Sequence, residues 1–415
     1  MGSPASTIDW SLDIQSIRKQ FPVLHQEVNG KPLIYFDNAA TNQKPSSVIK
    51  ALDHYYETDN ANIHRGVHTL AERATADFEE TRKKAAAFLN SKEIQEVIFT
   101  KGTTESINLV ASTWGRKFVN EGDEIIISTL EHHSNIVPWQ MLCEEKGAIL
   151  RVIPINPKGE VIIDDFKKLL SAKTKLVSVV FASNALGTVN PVAEIISLAH
   201  QQGAVVMLDG AQASAHLEVD VQKLDVDFFA LSAHKMYGPT GVGILYGKRS
   251  LLEAMPPYQG GGEMISEVTF EKTTYNVIPY KFEAGTPNIA DVVAFGAAID
   301  FINEHGKERI AAHEDELLHY ATAKLESIPG VRIVGQAADK VSVVSFLVNG
   351  YHPLDVGMYL DARGIAVRTG HHCTQPLMKH LGIEGTVRAS FSVYNTKEEI
   401  DRLAEAVTLL ASRKN

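Results

Sequence analysis

The chain has 415 residues, 44% of them hydrophobic and 22% charged, enough apolar material for a large buried core and two to three domains. Its formal net charge of -10 is unbroken by any run of lysines or arginines, which argues against nucleic acid or an anionic membrane as a partner. With only two cysteines, Cys143 and Cys373, it has no disulfide framework, and a reducing, cytoplasmic setting is expected.

Met1 to Thr7 carry neither a basic start nor an apolar core, and no later segment approaches the ~18 apolar residues of a membrane span, so neither leader nor anchor is expected. From about residue 31, short apolar runs alternate with amphipathic stretches. Strands are expected at 96–100, 124–128, 149–153, 176–180, 204–208 and 228–232, with helices between them, such as 105–114 and 192–202, the latter stopping at Gly203. This alternation predicts parallel β-α-β units, and hence one doubly wound α/β domain over 31–290. Beyond Pro287 the pattern changes to helices at 289–305 and 308–328, a strand at 341–348 and a closing helix at 397–411. We therefore expect a mainly parallel large domain and a smaller α+β domain over 291–415, with residues 1–30 packing against the smaller one.

Two expected strands end in chemistry. The run 204–208 stops at Asp209, and 228–232 delivers His234 and Lys235 into the glycine-rich turn Gly238-Pro239-Thr240-Gly241. Ligands of open α/β sheets sit at the carboxyl ends of strands. A lysine and a carboxylate on that edge suit pyridoxal phosphate (PLP): the amine bonds the aldehyde, and the aspartate keeps the pyridine nitrogen protonated. Gly102-Thr103-Thr104, between a strand and a helix, offers free amides and two hydroxyls to a phosphate, although an ordinary helix N-cap would look the same. Ser232 and His234 are further phosphate candidates. In Glu131-His132-His133 a ring can stack on a flat heterocycle, or both histidines can be structural; no neighbouring ligands at metal spacing accompany them, and no metal is expected. Cys373, in Arg368-Thr369-Gly370-His371-His372-Cys373, is a loop thiol near histidine and arginine, suited to nucleophilic work or simply structural. Cys143, beside Met141-Leu142, reads as an inert core thiol. Arg388 can grip a carboxylate through two bonds, or be an ordinary surface arginine.

Taken together, these motifs resemble the Suf-type cysteine desulfurases within the class V aminotransferase-like PLP enzymes. The resemblance runs from Tyr35-Phe36-Asp37-Asn38-Ala39-Ala40, through Asn62-Ile63-His64-Arg65, to Tyr394-Asn395-Thr396. Its most specific pieces are Asp209-Gly210-Ala211-Gln212, Ser232-Ala233-His234-Lys235 and Arg368 to Cys373. It implies the PLP-dependent transferase fold type I, with Lys235 attached to the cofactor, Asp209 on the pyridine nitrogen, Gln212 on the ring hydroxyl and His132 stacked on the ring. Thr103, Thr104, Ser232 and His234 would hold the phosphate, helped by Thr286 from a second subunit, which implies a homodimer. His64, Asn184, Arg368 and Arg388 would surround the substrate. The implied reaction converts L-cysteine to L-alanine: Lys235 moves the α-proton, and Cys373 takes the sulfur as a persulfide. The short loop from Arg368 to Pro376 resembles the Suf-type group, so a sulfur-acceptor protein of the Suf system is expected to come to the site, with iron–sulfur cluster assembly as the destination. The sequence departs from the family pattern at Thr374, where alanine is usual, which bears on the polarity around the thiol.

The nearest alternative is selenocysteine lyase, whose residue requirements overlap almost completely. A transaminase or another carbon–sulfur lyase needs no cysteine in this loop, and a non-catalytic scaffold need not keep Lys235, Asp209, Cys373 and Arg388 together. A dinucleotide-dependent dehydrogenase is excluded because Gly241-Val242-Gly243 lacks the fingerprint spacing.

Overall fold

The computed structural model describes residues 12–413; residues 1–11 of the expected N-terminal segment lie outside them. Seven strands build the main sheet: β1 (Val97–Thr100), β2 (Glu124–Ser128), β3 (Ile149–Ile153), β4 (Thr174–Val180), β5 (Val205–Asp209), β6 (Phe228–Ser232) and β7 (Gly243–Gly247). Their order is β1-β7-β6-β5-β4-β2-β3. All neighbouring pairs are parallel except those of β7, which runs against both β1 and β6. The fold is thus the expected α/β type, with one antiparallel insertion in a mainly parallel sheet.

Side-chain alternation separates two cores across this sheet. Phe99, Ile126, Val177, Leu208, Phe229 and Ile244 face one side, with the long helices, whereas Ile98, Ile127, Leu176, Met207, Phe228 and Leu245 face the other, with Trp114 and Trp139. Burying each such side chain contributes roughly 1.5–3 kcal/mol. Both faces being covered explains why these strands read as nearly continuous apolar runs. The helix Ile289–His305 is mostly apolar, and its buried residues, among them Phe295, Ile299 and Phe301, join the first core as it packs on Ser46–His54 and Thr69–Leu89.

The C-terminal part carries a four-stranded sheet: β8 (Val331–Val334), β9 (Val343–Val348), β10 (Arg368–Gly370) and β11 (Thr386–Ser390), ordered β8-β9-β11-β10 and antiparallel throughout. Its core is separate, centred on Phe346, Val387, Leu360 and Leu403. Residues 34–35 pair in parallel with 365–366, and Arg18 binds both the Tyr394 carbonyl at 2.8 Å and Glu399 at 2.7 Å, so the start of the described chain is fastened to its end. This fastening brings β10 and its cysteine loop to the carboxyl edge of the main sheet. Among the described residues, no helix is long and apolar enough to cross a membrane.

Candidate active site

The carboxyl ends of β4, β5 and β6 open into a cavity of about 240 Å³, closed on its far side by the loop after β10. Lys235 follows β6 in a short turn whose His234 carbonyl accepts from the Asn42 amide at 3.0 Å, the Thr41 hydroxyl at 3.0 Å and the Lys44 ammonium at 3.2 Å. Burial holds the Lys235 amine below its usual pKa, with Asp209 partly offsetting it. Asp209 ends β5, fully buried; burial raises its pKa although its Oδ1 accepts from the Ala211 amide at 2.9 Å. A carboxylate desolvated in this way calls for a cationic partner.

The phosphate candidates are joined before any ligand arrives. The Ser232 hydroxyl accepts from the Thr103 amide at 2.9 Å and lies 2.9 Å from the Thr103 hydroxyl, so the end of β6 is tied to the start of the helix Thr103–Val110. Thr104 is exposed at the cavity mouth. Burial and the nearby Lys235 and Lys44 charges lower His234 to about 4, which makes it neutral at pH 7. His132 is lowered to about 3, first by burial and then by Lys235. Its Nδ1 accepts from the Ser134 amide at 3.1 Å, so in the neutral ring Nε2 carries the proton. Gln212 donates to the Ala39 carbonyl at 2.7 Å from within the same wall.

On the opposite wall, Arg388 comes from β11 and is buried, not the surface residue that a lone arginine would suggest. Its Nη1 donates to the Asn184 carbonyl at 2.8 Å and its Nη2 to Asp37 Oδ1 at 3.1 Å, while Arg368 meets Asp37 Oδ2 at 3.5 Å. Burial lowers Arg388 to about 10 despite Asp37, and it stays charged at neutral pH. Arg388 Nε, Asn184 Oδ1 and His372 Nδ1 are buried without a hydrogen-bond partner. Unpaired buried polar atoms clustered at a cavity wall are what a bound polar group would satisfy.

Cys373 is exposed and lines the cavity, whereas Cys143 is buried and raised to about 11 by that burial. His372 and Cys373 both have left-handed backbone, with φ of 53° and 58°. Such residues cost about 1–3 kcal/mol each and persist only where the surroundings hold them. The Asn184 side chain donates to the His372 carbonyl at 2.7 Å, and the His133 amide donates to the Cys373 carbonyl at 2.8 Å. Thr374, the departure from the family pattern, is fully buried and turns its hydroxyl onto the His371 carbonyl at 2.7 Å, so its polarity is spent within the loop.

Two expected residues lie elsewhere in this chain. Thr286 is exposed and absent from the cavity lining. His64, also outside the lining, has a φ of 67° and lies 2.9 Å from Glu79 Oε1. Asp37 and His133 received no role from sequence, although both stand in motifs that carried the resemblance or lie beside it. Among the described residues no cluster of histidine, cysteine and carboxylates could hold a metal.

The aminotransferase class-V family matches residues 34–403. The chain is 50% identical over 394 residues to a cysteine desulfurase of Escherichia coli O157:H7, covering 95% of this chain and 97% of that protein. It belongs to the aminotransferase class V family. A cysteine desulfurase of Synechococcus elongatus is 54% identical over 95% of this chain, and a probable cysteine desulfurase 1 of Mycobacterium leprae 53% over 96%. This chain spans only 63% and 65% of those two proteins. In structure it is similar to the E. coli cysteine desulfurase CsdA (TM-score 0.91, 40% identity, 97% and 99% of the two chains). It is equally similar to a Thermococcus onnurineus cysteine desulfurase (TM-score 0.92, 40% identity, again 97% and 99%). Pyridoxal phosphate is the cofactor of this family, and the cavity fits it: a half-buried lysine, a desolvated carboxylate, a neutral ring at the wall and a helix start with hydroxyls at the mouth.

Proposed function

We propose that the chain is a cysteine desulfurase that converts L-cysteine to L-alanine and keeps the sulfur as a persulfide on Cys373. The observation that carries this reading is that Lys235 and Cys373 line one cavity, with the buried Arg388 and Asn184 beside them. Bound there, PLP supplies an electron sink for charge developing at the substrate α-carbon. In this reading Lys235 holds the cofactor, Asp209 faces the pyridine nitrogen, Gln212 the ring hydroxyl and His132 one ring face. Thr103, Thr104, Ser232 and His234 hold the phosphate.

Arg388, with Asn184 and Arg368, grips the substrate carboxylate, an arrangement that orients the α-proton toward the Lys235 amine. That amine, with its pKa lowered by burial, takes the proton and returns it. The Cys373 thiolate then attacks the substrate sulfur: the Sγ–S bond forms, the carbon–sulfur bond breaks, and its electron pair stays with carbon until a proton joins it to give alanine.

We place the chain in the Suf-type group, in a reducing cytoplasmic setting, with a Suf-system sulfur-acceptor protein as partner and iron–sulfur cluster assembly as destination; the short Cys373 loop supports this, because it gives the sulfur little reach. The exposure of Thr286 outside this chain's own cavity supports a homodimer in which it serves the second copy. The proposed division is a large PLP domain (31–290), a small domain carrying the cysteine loop (291–415) and an N-terminal segment (1–30), whose described part reaches the small domain through Arg18 on Tyr394 and Glu399; the junction helix Ile289–His305 packs back on the large layer.

The test is a single turnover of PLP-loaded protein with L-cysteine, followed by non-reducing intact mass and peptide mapping. One added sulfur on Cys373 and one equivalent of alanine are expected, with neither product from C373A. Free sulfide with pyruvate and ammonia in place of alanine, undiminished in C373A, would replace the reading with a β-eliminating lyase.

A further inference from the structure

The segment 128–135 carries two adjacent histidines that point to two different structures. His132 joins the cofactor cavity, and its ring centroid is 6.2 Å from that of His133. His133 meets the cysteine loop twice: its amide donates to the Cys373 carbonyl at 2.8 Å, and its Nε2 accepts from the Gln375 amide at 3.1 Å. These bonds hold the loop at the nucleophile's own carbonyl and again two residues further on. The loop they hold contains two successive left-handed residues, neither of them glycine, which would relax elsewhere if released.

The turn beneath is rigid for a visible reason. Glu131, fully buried, accepts from the Ser128 hydroxyl and from Asn135 Nδ2, the latter at 2.6 Å. Asn135 Oδ1 in turn accepts from Trp139 Nε1 at 2.8 Å and from the Ser178 hydroxyl at 2.6 Å. Every heavy polar atom of this buried cluster is thereby used, and the main chain of 131–135 is fixed to β2 and β4.

We propose that His133 is a positioning residue that clamps the Cys373 loop, registering the sulfur nucleophile to the same turn that presents His132 to the cofactor. The inference rests on the desulfurase reading above. Its logic is geometric: neighbouring residues on one rigid turn set the separation between the cofactor wall and the thiol, so the attacking sulfur is held near its target without a search. The ring must accept at Nε2, which the neutral form does with its proton on Nδ1. Burial and the neighbouring His371 hold His133 below its usual pKa, in keeping with that form.

The experiment compares H133L, H133N and H133Q as PLP-loaded proteins. Leucine removes the acceptor, asparagine is too short to reach Gln375, and glutamine places an oxygen near the Nε2 position. Two readouts are taken: hydrogen exchange of the peptide containing the Gln375 amide, and the single-turnover rate of persulfide formation on Cys373. H133L and H133N should each exchange that amide and lose persulfide rate by about tenfold, the equivalent of one ordinary hydrogen bond. The cofactor absorbance band should be unchanged, and H133Q should recover both readouts. Unchanged Gln375 exchange in H133N, or a persulfide rate within about twofold of wild type in both H133L and H133N, overturns the clamp. Failure of the desulfurase reading looks different: wild-type protein forms no persulfide on Cys373, while the exchange readout still reports whether the clamp exists.

Discussion

Arg388 shows how much a single side chain decides. Its guanidinium is buried and divided between the Asn184 carbonyl and Asp37, with Nε left unpaired, a geometry that an ammonium cannot reproduce. We expect R388K to raise KM for cysteine by about tenfold or more while leaving the cofactor band intact. A KM equal to wild type would move the carboxylate site elsewhere. Glu131 makes a second residue-scale prediction. Burial pushes it up to about 8, against the pull of its Ser128 and Asn135 bonds. The folded state therefore keeps a proton that the unfolded chain releases near the ordinary value of 4.5, so stability is greatest below that pH and falls as pH rises toward 8. E131Q preserves shape and stays neutral, and its melting temperature should fall less between pH 5 and 8 than that of wild type; parallel curves would show that Glu131 ionises normally. Lys235 and Asp209 were legible in the sequence because apolar runs mark the strand ends that carry them. His133 was not: the Gln375 amide that it holds lies 242 residues away in the chain, and nothing local announces such a bond.

At the scale of elements, the period of apolar runs located six strands of the main sheet and missed β7. Gly243 and Gly247 flank it, and glycines read as turn residues. The structure gives the reason for the first of them: a Cβ on Gly243 would lie 2.4 Å from Gly102 Cα and 2.5 Å from the Leu231 carbonyl oxygen. Backbone approaches backbone there, so that the helix start at Thr103 can sit against the end of β6. G243A must push those segments apart. It should lower stability by about 1–3 kcal/mol in urea titration and weaken PLP binding, since the displaced backbone carries the amides proposed to hold the phosphate. G247A provides the contrast, because its Cβ would meet side chains of Leu252 and Phe228, which can shift. It should cost some stability with unchanged PLP affinity. Equal PLP affinity in both variants would separate this glycine contact from the phosphate site.

For the whole molecule, the proposed homodimer would make the cavity of one chain a partial site. Thr104 stands exposed at its mouth, and Thr286 is exposed away from it. The segment bearing Thr286 is nonetheless firmly held: Glu283, three residues earlier, takes two bonds from Arg82, at 2.7 and 2.9 Å, and accepts the Phe99 amide at 2.8 Å. Arg82 also binds Glu79, which lies 2.9 Å from His64. One buried arginine thus ties the segments carrying His64 and Thr286 to β1. Rigid support under two polar residues that do not face their own cavity makes sense if they serve a neighbouring copy. The apolar pattern that revealed the fold is silent on this, because it records what one chain buries and not what two copies complete. The consequence can be measured. T286V should remain dimeric in sedimentation yet bind PLP about tenfold more weakly, the expected loss of one hydrogen bond to a charged phosphate. If the wild-type protein sediments as a monomer with full PLP affinity, Thr286 has no route to a phosphate, and the cavity of a single chain is the complete site.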